Sequence, residues 1–474
     1  MTVIYGLLGL SVIIFIHELG HFFVARFFGV HVESFSIGMG PVLLHKTVKG
    51  TDYRLSLIPF GGYCGMKGEK DFQTAMENKL DRIPAEKDSF YGVHPLKRIA
   101  IAFAGPFANV ILAVAALSVV AMIGYDYYTS PNKIILASEF YPDSPLSAAE
   151  AGLQTGDRIR AINGKRIEYF SDIVETVSLS ARKTLHIEAD RNGKAMTFTL
   201  VPELDKSTGA GKIGVLSWLD PVIESAAENS PAFNAGLQNG DRIIEADGKA
   251  VRNTVDLYEI LKNLHEADIS VERGGRVFHA HLSLRQLQAQ PAAEKSPAQK
   301  SAERKNSGNE NLVSGISWQA IKVHTKTYPF FPALLQGAKE TFKMVSVTAQ
   351  SIALLFKGID LKQAVSGPIG ITVLLGETAK EGFSAGFSVG VVTVCNFLAV
   401  ISISLFLMNL LPVPVLDGGL ILVAFIELVR RKSIKPKTLY AIQIAGVCFI
   451  VLIFLLGMFA DINRIIQRFQ DVKL

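Results

Sequence analysis

Cysteine is scarce in this chain of 474 residues, which contains only Cys64, Cys395 and Cys448, far apart from one another. This spacing argues against a disulfide framework and against a cysteine-rich metal site. The modest net charge of +5 comes without a basic arm or a nucleic-acid motif, so no nucleic-acid partner is expected. The first residues also lack the basic start and cleavage site of a removable signal peptide, and we expect the first apolar segment to be retained.

Apolar residues are abundant instead. They make up 49% of the sequence, and the mean hydropathy of +0.30 is too high for an ordinary soluble enzyme of this length. A helix needs about 20 apolar residues to cross a bilayer core. Four segments are long enough, at 3–25, 99–124, 385–411 and 439–460. The sequence therefore predicts a membrane protein with four transmembrane helices and with soluble parts.

Basic residues are concentrated between the first two apolar segments and again at 430–437, between the last two. Because basic loops stay on the cytoplasmic side of a membrane, both regions are expected to be cytoplasmic. Both termini and the long middle region are then expected to face outward.

The first apolar segment contains the string His17-Glu18-Leu19-Gly20-His21. Residues four apart share a helix face, so His17 and His21 can hold one zinc ion, while Glu18 is displaced toward a water molecule and can act as a general base. Unpartnered ionisable residues are costly in hydrocarbon. This setting favours a metal site over a chance match to the motif.

A catalytic zinc usually has three protein ligands and one open position, so a third ligand is needed. The candidate is Asp417, which follows the string Asn409-Leu410-Leu411-Pro412-Val413-Pro414 in another apolar run. Pro412 and Pro414 interrupt a helix, and non-helical backbone at membrane depth survives only beside protein or water. From its position alone, Asp417 could equally cap a helix at the membrane surface.

Two short runs at 32–37 and 53–58 have strand character, and sharp turns are expected at 38–40 and 59–63. They predict a hairpin that dips into the membrane beside the metal and offers a free edge to an extended substrate. A cytoplasmic surface hairpin is the alternative. In the second apolar segment, the string Phe103-Ala104-Gly105-Pro106 favours close packing on the first segment, and Asn109 is expected mainly to join helices.

The middle of the chain repeats itself, because AGLQTGDRI at 151–159 recurs as AGLQNGDRI at 235–243. Each copy follows a Ser-Pro pair and leads into a short strand and a turn, so the sequence predicts two tandem modules. The repeats resemble PDZ domains, which accept an extended peptide by strand addition. A pair of spacer domains without a ligand is the alternative.

Residues 286–311 contain almost no large apolar residues and are predicted to form a flexible linker. Residues 312–384 are predicted to form amphipathic helices at the outer membrane interface, with a break at 366–370. The predicted divisions are 1–125 for the first two transmembrane helices with the hairpin, 126–209 and 210–285 for the two PDZ-like domains, 286–311, 312–384, and 385–474 for the last two transmembrane helices.

Three strings together, HELGH, FAGPFAN and NLLPVPVLDGG, make the chain resemble the site-2 protease family of intramembrane zinc metalloproteases over nearly its whole length. The resemblance implies four transmembrane helices with a membrane re-entrant β-hairpin at 30–65, plus two small mixed α/β PDZ-like domains. It implies Zn²⁺ as the cofactor. The implied zinc ligands are His17, His21 and Asp417, the implied base is Glu18, and the implied substrate-binding residues are Asn409, Pro412, Pro414, Gly38 and Gly40.

The resemblance also implies a location and substrates. The protein would lie in a bacterial inner membrane with its PDZ-like domains in the periplasm, and it would cut single-span membrane proteins after a first cut outside. An anti-sigma factor and remnant signal peptides are the implied substrates, with peptide ends binding at the PDZ grooves.

Two other functions remain open at this point. The first is a non-catalytic receptor or chaperone, which the presence of Glu18 disfavours. The second is a metal transporter, which is disfavoured because the last two apolar segments contain few further ligands.

Overall fold

The computed structural model of the chain describes residues 2–141, 144–205, 209–284, 315–355 and 368–471. These residues form two compact units. The first contains residues 2–125, 325–353 and 368–471, and the second contains the described residues from 126 to 324 together with Leu354 and Leu355. The predicted linker 286–311 and residues 366 and 367 of the predicted break lie outside the described residues.

The helices, in chain order, are α1 (Thr2–Phe27), α2 (Glu69–Glu77), α3 (Pro95–Ile123), α4 (Ser147–Glu150), α5 (Phe170–Ser178), α6 (Pro231–Asn234), α7 (Thr254–Leu261), α8 (Phe330–Leu355), α9 (Pro368–Ala385), α10 (Phe387–Asn409), α11 (Asp417–Arg430) and α12 (Pro436–Asp471). Residues 368–370, predicted as a break, instead open α9. Proline suits the first turn of a helix, because its missing N–H would have no partner there.

The strands, in chain order, are β1 (Val32–Val48), β2 (Thr51–Met66), β3 (Asp126–Thr129), β4 (Ile134–Leu136), β5 (Arg158–Ile162), β6 (Lys165–Arg166), β7 (Leu185–Arg191), β8 (Lys194–Leu200), β9 (Glu203–Leu204), β10 (Gly211–Lys212), β11 (Val215–Ser217), β12 (Ile223–Ala226), β13 (Arg242–Ala246), β14 (Lys249–Ala250), β15 (Glu266–Arg273), β16 (Arg276–Ser283), β17 (Ile316–Trp318) and β18 (Ile321–His324).

Within the described residues, three helices are long and apolar enough to cross a membrane: Tyr5–Phe27, Pro95–Ile123 and Phe387–Asn409. They coincide with the first three predicted spans, which confirms a helical membrane architecture. The fourth predicted span, 439–460, lies within α12, where a shorter apolar stretch covers Pro436–Leu452. The number of four spans stays a prediction.

The predicted hairpin is present, and its strands are much longer than the sequence suggests. β1 and β2 pair along 17 and 16 residues, and the chain reverses at Lys49 and Gly50. Both turn residues have positive φ, of 50° and 83°. Such a two-residue turn matches the natural twist of paired strands.

The turns predicted at 38–40 and 59–63 are wrong, because both stretches lie inside the strands. Gly38, Gly40 and Gly61 have φ of 85°, 83° and 93°, and the strand register shifts around 37–42. A glycine with positive φ inside a paired strand is typical of a β-bulge, which bends the strand without ending it.

The open end of this hairpin, opposite the turn at Lys49 and Gly50, packs against α1. The Phe35 ring lies 5.9 Å from the Phe15 ring and 5.2 Å from the Phe22 ring, measured between centroids. In the half that contains the turn, by contrast, large apolar side chains such as Leu44 and Leu57 are more than half exposed. An apolar hairpin tip of this kind suits a lipid environment.

Small residues allow the helices of the first unit to approach closely, as the sequence predicts for α1 and α3. A Cβ added to Gly20 of α1 would lie 2.3 Å from the carbonyl oxygen of Ala104 in α3. Similarly, a Cβ on Gly337 of α8 would lie 2.3 Å from Ser118 Oγ in α3. α8 is therefore packed onto α3, and its predicted place at the membrane interface stays a prediction.

The two sequence repeats fold in the same way. The first gives a sheet of order β6-β5-β7-β8, and the second gives β14-β13-β15-β16. Each sheet has its own apolar core, one including Ile159 and Ile187 and the other including Ile243 and Ile269.

Each repeat also contains a buried ion pair that the sequence analysis did not identify. Asp157 accepts two hydrogen bonds from Arg191, each of 2.7 Å, and Asp241 accepts bonds of 2.6 and 2.7 Å from Arg273. Burial raises the pKa of Asp241 and the bond from Arg273 lowers it, and the net shift is downward. The aspartate of each GDRI string thus anchors a distant arginine. The sequence did contain a signal for this pair, because Arg191 and Arg273 occupy equivalent positions at the ends of β7 and β15.

The region predicted as helical from 312 onward differs in the structure, because its first described part forms strands of the second unit. β17 pairs with β12, and β18 pairs with β3. In the second pairing, His324 bonds to Asp126, 198 residues earlier in the chain. Local periodicity does not reveal pairing over such a distance.

Candidate active site

α1 presents His17 and His21 on one face, one helical turn apart. Both side chains are buried, with exposed fractions of 8% and 5%. Their Nε2 atoms are 3.3 Å apart, and the two rings meet edge to face. The helical spacing that predicts a shared face is therefore realised.

Asp417 reaches the same point from the other end of the chain. Its carboxylate oxygens lie 3.2 Å from His17 Nε2 and 3.3 Å from His21 Nε2. Asp417 is the first residue of α11. A carboxylate in the first turn of a helix is favoured by the positive end of the helix dipole.

The loop 410–416 holds Asp417 in place through tight backbone contacts. Cβ atoms on Gly418 and Gly419 would lie 2.3 Å from the Leu411 carbonyl oxygen and 2.4 Å from that of Val413. Val415 has a φ of 83°, which is strained for a β-branched residue. Strain of this kind persists where surrounding contacts fix the backbone, and it is common at functional sites.

The second nitrogen of each imidazole also has a partner, and this partner determines which nitrogen is free. His21 Nδ1 donates to the carbonyl oxygen of Ile101 at 2.8 Å, so His21 Nε2 carries a free lone pair. His17 Nδ1 lies 3.3 Å from Nδ2 of Asn109, whose buried Oδ1 has no partner. Rotating the amide by 180° lets Oδ1 accept from His17 Nδ1, which satisfies Oδ1 and frees His17 Nε2 as well.

With Nδ1 as the donor of both rings, the Nε2 lone pairs of the two histidines and the Asp417 carboxylate face one another. This arrangement is unfavourable without a cation between them. The ligand atoms of His17, His21 and Asp417 all lie within 4.8 Å of one another. Ligands about 2.0–2.1 Å from a tetrahedral zinc are about 3.3 Å apart. The observed separations of 3.2–3.3 Å fit a zinc ion.

Glu18 is close enough to His17, His21 and Asp417 to interact with their charges, and its side chain also reaches the hairpin. A Cβ on Gly62, which pairs with Ile37 in the hairpin, would lie 3.5 Å from Glu18 Cγ. The base candidate is therefore next to β2. Gly62 was not identified from the sequence, although it belongs to a glycine pair in the string PFGGY.

Of the other predicted site residues, one lies beside a histidine, two belong to the loop before Asp417, and two lie in the hairpin. Asn409 Nδ2 lies 3.4 Å from His17 Nε2, and Pro412 and Pro414 belong to the loop that joins Asn409 to Asp417. Gly38 and Gly40 lie in the bulged part of β1, and within the described residues no contact joins them to the histidines or to Asp417.

Gly105 is a further residue with a direct effect on the site. A Cβ added to Gly105 would lie 2.2 Å from His21 Nε2, the nitrogen that faces Asp417. The glycine of the string FAGPFAN therefore leaves room for the ligand face of the histidine, in addition to permitting close helix packing.

We expect Gly105→Ala to remove most of the bound zinc from the purified protein, because the new methyl group would displace the His21 ring. Alanine favours helix over glycine by about 1 kcal/mol, so the helix itself should not suffer. Metal analysis of the purified variant checks this. Ile111→Ala, on the exposed side of α3, is the control and should keep its zinc. Full zinc occupancy in Gly105→Ala would contradict the expectation.

Comparison with known proteins identifies the class. The model of peptidase family M50 matches residues 5–453. A relative from Treponema pallidum (strain Nichols) that carries a zinc metalloprotease name is 39% identical over 465 residues, covering 98% of this chain and 99% of the relative. The regulator of sigma-E protease RseP of Escherichia coli (strain K12) is 30% identical over 490 residues, covering 97% and 98%.

The chain belongs to peptidase family M50, the site-2 protease family. It is a zinc metalloprotease, and the predictions of an enzyme and of zinc as its cofactor are confirmed. The resemblance to the regulator of sigma-E protease extends over almost the full length of both chains.

Proposed function

We propose that this protein cuts transmembrane segments of single-span membrane proteins, with His17, His21 and Asp417 as zinc ligands and Glu18 as the base. The observation that carries the proposal is the convergence of three metal-binding side chains from α1 and α11, with Glu18 beside them against a hairpin strand. A peptidase site on an apolar helix makes membrane-embedded peptide bonds the natural targets.

Zinc, when bound, supplies Lewis acidity, which polarises a peptide carbonyl and makes water easier to deprotonate. Glu18 accepts the proton of the attacking water and passes it to the leaving amine. Asn109 and the carbonyl of Ile101 hold the two imidazoles in the orientation that directs Nε2 inward. Burial of both histidines excludes bulk water from the ligand side of the site.

A transmembrane helix conceals its peptide bonds in internal hydrogen bonds, so the substrate must be unwound before it is cut. β1 and β2 form a sheet of two strands, and an extended segment can add to a free edge. We assign this part to the hairpin as a membrane re-entrant element. Gly38 and Gly40 bend the binding edge, while Asn409, Pro412 and Pro414 hold the segment near the metal.

The proposed substrates are proteins already trimmed outside the membrane. An anti-sigma factor is the leading candidate, because five relatives carry the name regulator of sigma-E protease. Remnant signal peptides are a second group. The proposed location is a bacterial inner membrane, with four spans, residues near 75 and 433 in the cytoplasm, and the second unit in the periplasm. Labelling of single cysteines with an impermeant reagent checks this placement, and labelling at position 75 from outside sealed cells would contradict it.

Co-expression with a tagged candidate anti-sigma factor tests the proposed activity. The wild type should shorten the trimmed form of the substrate, and purified enzyme should lose this activity with a zinc chelator and regain it with added zinc. A product that forms equally in the presence of chelator would rule out the proposed chemistry.

We further propose that the two repeats are PDZ domains that act as a gate for substrates whose outer domain has been removed. If the second unit is periplasmic and the metal ligands lie toward the cytoplasmic side, much of the bilayer core of about 30 Å separates the two. The repeats then have no part in the chemistry. A bulky substrate domain would meet them before its span could reach the metal, whereas a trimmed stump could pass or dock its new terminus.

Replacing residues 130–320 with a short linker should increase cleavage of an untrimmed substrate and change cleavage of a trimmed one much less. This deletion keeps β3 and β18, the first and last strands of the second unit, which pair with each other. Cleavage of both substrate forms, measured side by side, checks the prediction. If the variant binds zinc and still cuts only the trimmed form, the gate lies elsewhere.

A further inference from the structure

A cavity of about 420 Å³ lies at the other end of α11 from the metal ligands. Its walls come from the start of α3, with His94 and Arg98, and from the end of α11, with Glu427, Arg431 and Lys432. Glu427 lies about 15 Å along the helix from Asp417. The cavity is therefore separate from the catalytic site.

The single carboxylate in the cavity wall is already neutralised. Glu427 Oε2 accepts from Arg98 Nη2 at 2.5 Å, and Oε1 accepts from the backbone N–H of Ile434 at 2.7 Å. Arg98 and Glu427 are both more than nine-tenths buried, which makes their pairing hard to replace by water. The charge that remains for a ligand is therefore that of Arg431 and Lys432.

Arg431 and Lys432 are exposed, and within the described part of the chain neither makes an ion pair. Arg431 ends α11 in the left-handed conformation, with a φ of 51°. The hydrogen bond from the backbone N–H of Ile434 to Glu427 then holds the residues that follow α11 against that helix. This turn holds the backbone of Arg431 and Lys432 in the cavity wall.

Both helices also expose apolar side chains outside the cavity wall. Leu96 of α3 is 55% exposed, and Phe425 and Val429 of α11 are 52% and 67% exposed. α3 begins at Pro95 and is apolar enough to cross a membrane, so the cavity lies where an apolar helix meets its polar flank. A cationic cavity at this level, between helices that expose apolar side chains, matches an anionic phospholipid, whose phosphate pairs with the cations.

We propose that this cavity binds an anionic phospholipid, whose phosphate lies between Arg431 and Lys432. The bound lipid joins the end of α11 to the start of α3, so it stabilises the helix that carries Asp417 at its other end.

Basic residues near a helix C-terminus also complement the helix dipole, and that role needs no ligand. The two explanations differ in what they predict for lipid binding. A dipole role makes Arg431 and Lys432 indifferent to the lipid headgroup, whereas a lipid site makes the protein select anionic lipid through those two residues.

Native mass spectrometry of the purified full-length protein in detergent tests the proposal, with phosphatidylglycerol, phosphatidylcholine and inorganic phosphate as three separate probes. We expect the wild type to prefer phosphatidylglycerol. Arg431→Gln with Lys432→Gln should weaken that binding roughly 25-fold, and Lys432→Gln alone roughly 5-fold, from the usual contribution of one basic residue near a membrane surface.

Arg430→Gln with Lys437→Gln is the matched control, because it removes the same charge from the same basic cluster outside the cavity. It should bind phosphatidylglycerol like the wild type, and so should the charge-retaining exchange Arg431→Lys with Lys432→Arg. Equal affinity for both lipids, or an equal loss in the matched control, would overturn the proposal. Inorganic phosphate binding as tightly as phosphatidylglycerol would identify a free-phosphate site and overturn it too. Zinc content reports whether each variant is folded.

Discussion

Glu18→Gln is expected to abolish cleavage while the purified protein keeps its zinc. Glu18 lies on α1 next to His17, and its side chain reaches the hairpin without belonging to the group of candidate ligands His17, His21 and Asp417. Its proposed role is to move a proton. General acid–base groups contribute about 10²–10⁴-fold to rates, so the loss should reach at least this range.

Glu77→Gln, at the exposed end of α2, is the control for this substitution and should leave cleavage unchanged. The measurement is the rate of substrate cleavage together with zinc per chain. Loss of zinc in Glu18→Gln would mean that Glu18 supports the metal, and wild-type cleavage would exclude it as the base.

Asp417→Ala is expected to lose both zinc and activity. Removing the carboxylate leaves two buried imidazole nitrogens 3.3 Å apart without the anion that completes the proposed ligand set. Loss of a residue that only supports a ligand lowers metal affinity about 10–100-fold, so loss of a ligand should exceed that range.

Asp417→Asn keeps the shape of the side chain and the start of α11 but removes the charge, and it should also bind zinc more weakly than the wild type. Metal analysis after dialysis, with cleavage measured in parallel, checks both variants. Full zinc occupancy in Asp417→Ala would remove Asp417 from the ligand set.

The candidate metal-binding group could be located from the sequence because each of its parts has a local signature. His17 and His21 are four residues apart in an apolar helix, and Asp417 follows two prolines in another apolar run. Ionisable residues are rare enough in such runs that the number of alternative ligands is small. The structure then brings these few candidates within hydrogen-bond distance.

The partners that orient this group could not be predicted in the same way. The acceptor for His21 is a backbone carbonyl, that of Ile101, which has no sequence signature of its own. Asn109 was expected mainly to join helices, and in the structure its amide also contacts His17. Such roles depend on how α1 and α3 cross, which their separate patterns do not fix.

The hairpin shows why strand length was underestimated. Glycines at 38, 40 and 61 normally indicate turns, and here they form bulges because the partner strand continues beside them. Whether a glycine ends a strand or bends it depends on pairing, which is a property of two segments together. The same limitation hid β17 and β18, whose partners lie far away in the sequence.

X-ray absorption at the zinc edge of the purified wild type, compared with Asp417→Ala reconstituted with zinc, tests most directly whether His17, His21 and Asp417 form the zinc site. The wild type should show two imidazole nitrogens and one carboxylate oxygen from the protein, with no sulfur. Asp417→Ala should lose the carboxylate contribution. A sulfur ligand in the wild type, or identical spectra for the two proteins, would contradict the proposed metal site.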